Sequence, residues 1–331
     1  MNLILESFKK KQIHTPIWFM RQAGRYLPEY QKIRSKYDDF MSLCNSVEDI
    51  VEVTLQPITR FDLDAAIIFS DILVIPQALG YKVEFKKNHG PQISGDIKDK
   101  EVNLSEKLKN CYQSINITRD KLAKKKALIG FSGAPWTLAC YIFGKEKNYN
   151  DVKGLAYNKD KEFFEVFRVL TEKVYEHLRN QILNGADLVK IFDSWAGVLD
   201  SYHIEKLSFT PIKQIYHRLK EEFPATPIII FSKDTATHNM GFNPDGLAFS
   251  YSENTELVLE KTDKDMCLQG NLDPIYLEIE DQDLVKNQVY KIMSSMKQRK
   301  HIFNLGHGIN PRAKIENIEY VIDLVRGYKS E

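Results

Sequence analysis

The alternation of apolar runs and helical stretches predicts one α/β domain over residues 1–331, a single-domain (β/α)8 TIM barrel. Eight short apolar runs have the pattern of strands that are buried on both faces. They cover residues 17–20, 65–70, 127–132, 188–192, 227–231, 246–250, 266–269 and 301–305. Each run ends in a polar or glycine-bearing loop, and no low-complexity linker divides the chain. Eight such alternations favour a closed barrel over a doubly wound sheet.

The helices between these runs are predicted from apolar spacing and from capping residues. Val47–Phe61 has apolar residues at helical spacing, and Ser46 precedes it as an N-cap. Further helices are expected over 104–126, from Asn158 to a stop at Gly185, near 203–222, near 281–298 and after the last run. Two stretches break the pattern. Residues 84–101 are expected to form an irregular excursion or a small hairpin, and Pro244 interrupts a short helix around 235–245.

The composition excludes several classes of partner. Lys and Arg number 46 against 45 Asp and Glu, and the resulting formal charge of +1 gives no general attraction to nucleic acid or to a membrane. The 4 cysteines contain no C-x-x-C pair, so neither a zinc cluster nor a disulfide framework is indicated. No apolar segment of signal-peptide or membrane-span length is present. We therefore expect a cytoplasmic protein that captures any anionic ligand locally.

Polar residues just past the apolar runs form one predicted constellation. In a (β/α)8 barrel the carboxyl ends of all strands meet at one rim, where catalytic residues are found. The residues that follow the runs are Arg21, Arg25, Asp71, Asp193, Ser194, Lys233, Gln269, Asn271 and His307, and the loop after 127–132 adds Trp136 and Tyr141. Guanidinium groups present a planar fork of donors that matches carboxylate or phosphate, so the arginine pair indicates anion binding.

Simpler interpretations of the same residues stay open at this point. Arg21 and Arg25 could decorate the surface, Asp71 could cap the next helix, and Asp193 could hold its own loop. Histidines and cysteines do not fall at metal-ligand spacing, and neither G-x-x-x-x-G-K-[ST] nor G-x-G-x-x-G is present. The residues themselves thus point to a cofactor-free pocket for a polyanionic organic substrate that carries N–H donors, since an ionised Asp only accepts hydrogen bonds.

Six segments resemble the uroporphyrinogen decarboxylase family, in the family's order and along essentially the whole chain. They are RQAGRYLPE over 21–29, FSDIL over 69–73, GAPWT over 133–137, FDSWAG over 192–197, QGNLDP over 269–274 and NLGHG over 304–308. The resemblance implies a cofactor-free, homodimeric barrel of haem biosynthesis. Such an enzyme removes the four acetate carboxyls of uroporphyrinogen III and yields coproporphyrinogen III.

The resemblance also implies roles for individual residues. Arg21, Gln22 and Arg25 would meet the substrate's carboxylates, and Asp71 would accept hydrogen bonds from the pyrrole N–H groups. The remaining pocket positions of the family fall on Ile67, Tyr141, Ser194 and His307. Protonation of a pyrrole ring supplies the electron sink for loss of carbon dioxide, and Asp71 would stabilise the cation. The proton donor stays open between His307 and Tyr141.

Three loops depart from the family pattern, and two other functions are weighed. The chain reads IFGK over 142–145, SKDT over 232–235 and INPRAK over 309–314. Family members commonly have a glutamate-glycine pair, a lysine-glycine pair and a threonine-proline step there, so loop geometry is in question. One alternative is a zinc-dependent methyltransferase, which needs a His-x-Cys and a distant Cys. The other is a non-catalytic tetrapyrrole carrier, which the intact set of pocket residues disfavours.

Overall fold

Seven parallel strands in one curled sheet form the centre of the computed structural model, which describes residues 1–11, 13–86, 90–144, 149–235 and 240–329. The described residues contain these seven strands and two more, β2 and β3, which lie outside the sheet. In chain order they are β1 (Ala65–Ile67), β2 (Lys82–Lys86), β3 (Gly90–Ser94), β4 (Ala127–Gly133), β5 (Leu188–Asp193), β6 (Ile228–Ser232), β7 (Gly246–Ala248), β8 (Cys267–Leu272) and β9 (His301–Leu305). The sheet order is β1-β4-β5-β6-β7-β8-β9, so each strand pairs with its successor in the sheet. The outlying β2 and β3 form an antiparallel hairpin.

The segment around Ile17 occupies the eighth strand position, between β9 and the start of β1. Ile17 forms a parallel bridge with Phe303, whose N–H donates to the Pro16 carbonyl at 2.9 Å. On the other side the Asp64 N–H donates to the Ile17 carbonyl at 2.9 Å. The predicted (β/α)8 barrel is thereby confirmed. The run at 17–20 is only a bridge because the Asp64 carboxylate, 2.8 Å from the Ile17 nitrogen, replaces a ladder hydrogen bond.

Helices cover the outside of the sheet. They are α1 (Leu3–Lys9), α2 (Pro28–Arg34), α3 (Phe40–Leu43), α4 (Val47–Phe61), α5 (Val74–Ala78), α6 (Leu104–Lys107), α7 (Lys109–Lys121), α8 (Pro135–Phe143), α9 (Tyr149–Tyr157), α10 (Lys161–Leu183), α11 (Ser201–Ile204), α12 (Thr210–Glu222), α13 (Thr255–Lys261), α14 (Gln282–Ser295) and α15 (Ile315–Gly327). A π-helical turn, Glu205–Phe209, joins α11 to α12. None of the helices in the described ranges is long and apolar enough to span a membrane.

Several helix boundaries differ from the sequence prediction. Helix α4 is confirmed, with the Ser46 hydroxyl accepting from the Asp49 N–H at 3.5 Å. The helix predicted over 104–126 is two helices that end at Lys121, because Leu122 is extended. The long helix begins after Asp160, whose carboxylate accepts from the Phe163 N–H at 2.9 Å, and not after Asn158. Helices α1, α2, α3, α5, α8, α9 and α13 were not predicted.

The irregular stretches are partly described. The hairpin expected within 84–101 is confirmed by the pairing of Val83 with Ile93, whereas its turn at 87–89 lies outside the described residues. Residues 145–148 and 236–239, which include Lys145 and part of the short helix expected around 235–245, also lie outside them. Residues 240–245 are not helical.

Candidate active site

Arg21 leaves the first strand position in a left-handed turn that directs its side chain toward the rim. Its φ is 60°, and the preceding Met20 N–H donates to the Asn304 Oδ1 at 3.0 Å. A Cβ placed on Gly308 would lie 2.3 Å from the Arg21 Cδ and 2.7 Å from its Cγ. The arginine side chain therefore runs across the backbone of Gly308, directly beside His307.

Gln22 lies beneath the rim and holds the arginine loop. Its side chain is 1% exposed, and its Nε2 donates to the Ala65 carbonyl at 3.0 Å. Its Oε1 accepts from the Phe19 N–H at 3.2 Å, while the Tyr26 hydroxyl donates to its carbonyl at 2.5 Å. This placement favours a positioning role over the contact with substrate carboxylates that the family resemblance implies.

Arg25 is exposed at the outer side of the same loop. The Gln31 Nε2 donates to its carbonyl at 2.6 Å and thereby ties the loop to α2. Burial raises the pKa of Tyr30, and the charges of Arg25 and Asp71 act on that pKa in opposite directions. Arg25 and Asp71 therefore both lie within electrostatic range of Tyr30, and Arg25 is the more exposed of the two.

Asp71 follows β1 and has one carboxylate oxygen engaged. The Leu73 N–H donates to its Oδ1 at 2.8 Å, and among the described residues no hydrogen bond reaches its Oδ2. Burial raises the pKa of the Asp71 carboxyl, while the Leu73 hydrogen bond and the Arg21 charge lower it. Helix α5 begins three residues later, at Val74, without a side-chain cap, so Asp71 is not its N-cap. Ile67, half-buried at the end of β1, lies below this turn.

Tyr141 reaches the same pocket from α8. Its ring lies 6.2 Å from that of Trp195. Burial raises the pKa of the Tyr141 hydroxyl; Asp71 raises it further, and Trp195 and Arg21 lower it. Because both charged residues act on one hydroxyl, Arg21, Asp71 and Tyr141 lie within electrostatic range of one another.

His307 completes the group from the loop after β9. Burial lowers its pKa to about 4, and the charges of Arg21 and Lys233 lower it further, against an opposite effect of Asp234. An imidazole with this pKa is neutral near pH 7. His307 is therefore a neutral imidazole within electrostatic range of two cations, Arg21 and Lys233.

Lys233 and Asp234 belong to this rim, although they were not included among the predicted binding residues. The Lys233 Nζ lies 3.2 Å from the Asp234 carboxylate, which also accepts from the Ser252 hydroxyl at 3.0 Å. A Cβ on Gly197 would lie 2.8 Å from the Asp234 Cβ. The loops after β5, β6 and β7 thus meet here. The position of Lys233 directly after an apolar run was the sequence signal for it.

Ser194 is positioned by the carboxylate that precedes it. Asp193 is fully buried, and its carboxylate accepts from the hydroxyls of Thr137 and Ser208, each at 2.5 Å. Burial raises the pKa of Asp193 to about 6. The Thr137 hydroxyl also accepts from the Trp195 N–H at 3.2 Å. This network supports the interpretation of Asp193 as a loop-holding residue and leaves half-buried Ser194 at the pocket edge.

Three other members of the predicted constellation are engaged in structural hydrogen bonds. The Gln269 Oε1 accepts from the Trp18 indole at 3.1 Å, and the Asn271 Nδ2 donates to the Ser250 carbonyl at 3.2 Å. Trp136 is fully buried and donates to the Trp195 carbonyl at 2.9 Å. Within the described ranges, no group of three His, Cys, Asp or Glu side chains could hold a metal ion.

Two solved structures match the fold at low sequence identity. A methyltransferase from Methanosarcina mazei superposes with a TM-score of 0.78 at 16% identity, covering 98% of this chain and 97% of that one. A B12-independent methionine synthase from Shewanella sp. W3-18-1 superposes with a TM-score of 0.60 at 10% identity, covering 86% and 87%. At these identities the two structures support the barrel architecture alone.

Sequence comparisons identify the family. The family model described as "Uroporphyrinogen decarboxylase (URO-D)" matches residues 2–328. Uroporphyrinogen decarboxylase of Rickettsia rickettsii (strain Sheila Smith) is 42% identical, and the alignment covers 100% of this chain and 98% of that protein. The protein of the same name from Campylobacter lari is also 42% identical, over 96% of each chain. The chain belongs to the uroporphyrinogen decarboxylase family.

Proposed function

We propose that this chain, as one barrel domain over residues 1–331, is a cofactor-free uroporphyrinogen III decarboxylase. It converts the four acetate side chains of the substrate into methyl groups and releases coproporphyrinogen III and carbon dioxide, within haem and tetrapyrrole biosynthesis. The observation that carries this proposal is the match of residues 2–328 to the family, and the mutual electrostatic effects of Arg21, Asp71, Tyr141 and His307 near the strand ends support it.

The arginines hold the substrate's acids. Arg21 lies against Gly308, beside His307, and both Arg21 and Arg25 are exposed to solvent. Charge-assisted hydrogen bonds from guanidinium to carboxylate are about twice as strong as neutral ones and fix the carboxylate plane. Lys233 supplies a further cation within electrostatic range of His307. Ser194, Ile67 and Gln22 shape and support the pocket between them.

Asp71 anchors the tetrapyrrole centre. Its Oδ1 is held by the Leu73 N–H, so its other oxygen is free to accept from pyrrole N–H groups. A proton added to the pyrrole α-carbon, next to the ring carbon that bears the acetate, produces a cationic ring. The electrons of the C–C bond to the carboxylate then flow into that ring, and carbon dioxide leaves. Protonation of the exocyclic carbon and loss of the ring proton complete the methyl group, with one proton consumed overall. Asp71 stabilises the cation.

Tyr141 and His307 are the candidate proton donors. The raised pKa keeps the Tyr141 hydroxyl protonated at neutral pH, whereas the free enzyme holds His307 neutral. Substrate carboxylates that pair with Arg21 and Lys233 would cancel the two positive fields on His307. Binding therefore raises the affinity of His307 for a proton at the moment when the reaction requires one.

Assembly and location follow from the family resemblance. The active form is a homodimer in the cytoplasm, and its partner in the reaction is a small molecule and neither nucleic acid nor membrane. Light scattering of the purified protein tests the dimer directly, and a monomeric enzyme with full activity would refute that part of the proposal.

An anaerobic assay with reduced uroporphyrinogen III tests the reaction. We expect products with successively fewer carboxyls, ending at four removed per molecule, as measured by chromatography after oxidation to the porphyrins. Metal chelation should leave the rate unchanged. Folded protein that returns the substrate with all its carboxyls would refute the activity, and binding without turnover would support the carrier function instead.

Asp71→Asn tests the role of the central carboxylate. The amide retains size and one acceptor but cannot neutralise the cationic ring, so kcat should fall by about 100-fold or more. Unfolding by denaturant should show a stable protein. Asp283→Asn, an exposed carboxylate in the first turn of α14, is the matched control and should retain full activity. Near-normal kcat in Asp71→Asn would remove Asp71 from the mechanism.

A further inference from the structure

Lys190 is a charged residue in the interior of the barrel that the proposed reaction does not use. It lies in the middle of β5, and its side chain is 1% exposed. Among the described residues no carboxylate forms an ion pair with its amine. A buried, unpaired ammonium is destabilising, and perturbed groups of this kind concentrate at functional sites.

Three aromatic rings enclose the Lys190 amine. Its Nζ lies 4.8 Å from the ring centre of Phe192, 5.3 Å from that of Trp18 and 5.5 Å from that of Phe231. The negative faces of aromatic rings attract a cation at such distances. The enclosure therefore holds the ammonium without a counter-ion.

The amine is directed toward the active-site end of the barrel. In the β5–β6 pairing, Lys190 is opposite Ile229, whereas Phe192 is opposite Phe231. The Lys190 Nζ lies beside the rings of Phe192 and Phe231, so the side chain extends one layer closer to the carboxyl ends of the strands. Phe192 precedes Ser194 by two residues, and this ring retains 7% exposure. The ammonium thus lies one layer below the end of β5, from which the loop with Ser194 follows.

We propose that Lys190 is a specificity-determining residue, whose positive charge below the end of β5 favours the most highly carboxylated form of the substrate. This inference rests on the proposed decarboxylase function and deepens it. A charge enclosed by the barrel acts through low-dielectric material and is screened little by salt, unlike the exposed Arg25. Its attraction grows with the number of carboxylates on the ligand.

The rings of Trp18, Phe192 and Phe231, which surround the Lys190 amine, carry no charge. Cys267 on β8 packs in the same apolar cluster as these rings, and burial raises the pKa of its thiol to about 12. Burial lowers the pKa of Lys190 to about 7. Rising pH therefore removes the charge of Lys190 and should raise KM between pH 6 and 8.5.

Steady-state kinetics of Lys190→Met and Lys190→Arg test the proposal. Methionine matches the length of the chain but carries no charge, so KM for uroporphyrinogen should rise about tenfold at both low and high salt. The kcat should change by less than about twofold. The pH dependence of KM should disappear in Lys190→Met. Lys190→Arg keeps a permanent cation and should restore a low KM that no longer varies with pH.

A structural role predicts a different outcome. Lys173 is also buried, but its amine donates to the Val102 carbonyl at 2.6 Å and lies outside the barrel, so Lys173→Met should leave KM unchanged. Lys190→Met should be at least as stable as the parent protein in denaturant, because an unpaired buried charge has been removed.

Wild-type KM and pH dependence in Lys190→Met would overturn the proposal. So would a parent enzyme whose KM does not vary between pH 6 and 8.5. Inactive parent protein would instead refute the decarboxylase function.

Discussion

The two glycines around His307 each permit one close approach. A Cβ on Gly306 would lie 2.1 Å from the backbone nitrogen of Tyr251, and one on Gly308 would meet the side chain of Arg21. The first contact is rigid, since backbone cannot move aside. The second is flexible, since an arginine side chain can swing away. Glycine at 306 is thus required by the fold, whereas glycine at 308 keeps the Arg21 side chain in its place.

Gly308→Ala should weaken substrate binding and leave the fold intact. The new methyl group displaces the Arg21 side chain from its path, and loss of a charge-assisted hydrogen bond raises KM by about 10- to 100-fold. Gly154→Ala is the matched control, because nothing lies within 4 Å of its added Cβ in α9. That change should leave KM unaltered and stabilise the protein by about 0.5–1 kcal/mol. Equal KM values for the two variants would refute the role of Gly308.

Among the elements, the segment at 16–20 is held in the barrel by side-chain hydrogen bonds more than by strand pairing. Asn304 Oδ1 accepts from the N–H groups of both Met20, at 3.0 Å, and Leu305, at 2.8 Å. This carboxamide is fully buried inside β9. It joins the last strand to the loop that carries Arg21, and the barrel closes at the same place where the cationic wall of the pocket begins.

Asn304→Leu should therefore affect stability and binding together. Two buried N–H groups lose their acceptor, which costs about 2–4 kcal/mol in the free energy of unfolding. KM should also rise, because Arg21 follows Met20 directly. Denaturant unfolding and anaerobic kinetics measure the two effects, with the exposed Asn287→Leu on α14 as control. A destabilised variant that keeps the parent KM would separate barrel closure from the site.

For the whole molecule, buried neutral histidines make stability depend on pH. Burial lowers the pKa of His177 to about 3 and that of His301 to about 4. The Tyr112 hydroxyl and the His177 Nδ1 share a hydrogen bond of 3.0 Å, and burial raises the pKa of that tyrosine, which therefore stays protonated. In the unfolded chain these imidazoles bind protons near pH 6.5. Below that pH the unfolded state binds more protons, so stability falls as pH falls.

His177→Gln isolates one of these contributions. Parent stability from denaturant unfolding should fall more steeply than that of the variant as pH decreases from 6.5 to about 4, by about 1.4 kcal/mol per pH unit. Asp193, with its raised pKa, contributes with the opposite sign in both proteins and cancels in the comparison. The exposed His217→Gln should leave the slope of the parent unchanged. Parallel curves for parent and His177→Gln would show that His177 is already protonated in the folded state.

The local sequence pattern was sufficient to predict the barrel and part of the candidate site. Apolar runs bounded by polar residues predict the strands, because a strand buried on both faces needs apolar side chains throughout. Capping was less certain: Asn158 and Asp160 both suit an N-cap, and only the path of the chain selects Asp160. Helix α9 was missed because it fills a connection that has no strong apolar period of its own.

Sequence by itself determined the strand order, the rim location of Arg21, Asp71 and His307, and the family. It could do so because all strands of a parallel barrel end at one face, and residue order therefore fixes which groups meet. Only the tertiary structure decided where individual side chains point. The Gln22 side chain points beneath its own loop, where it donates to the Ala65 carbonyl, and the Lys190 amine lies among three aromatic rings. Strand register and side-chain packing set these directions. No local pattern contains that information.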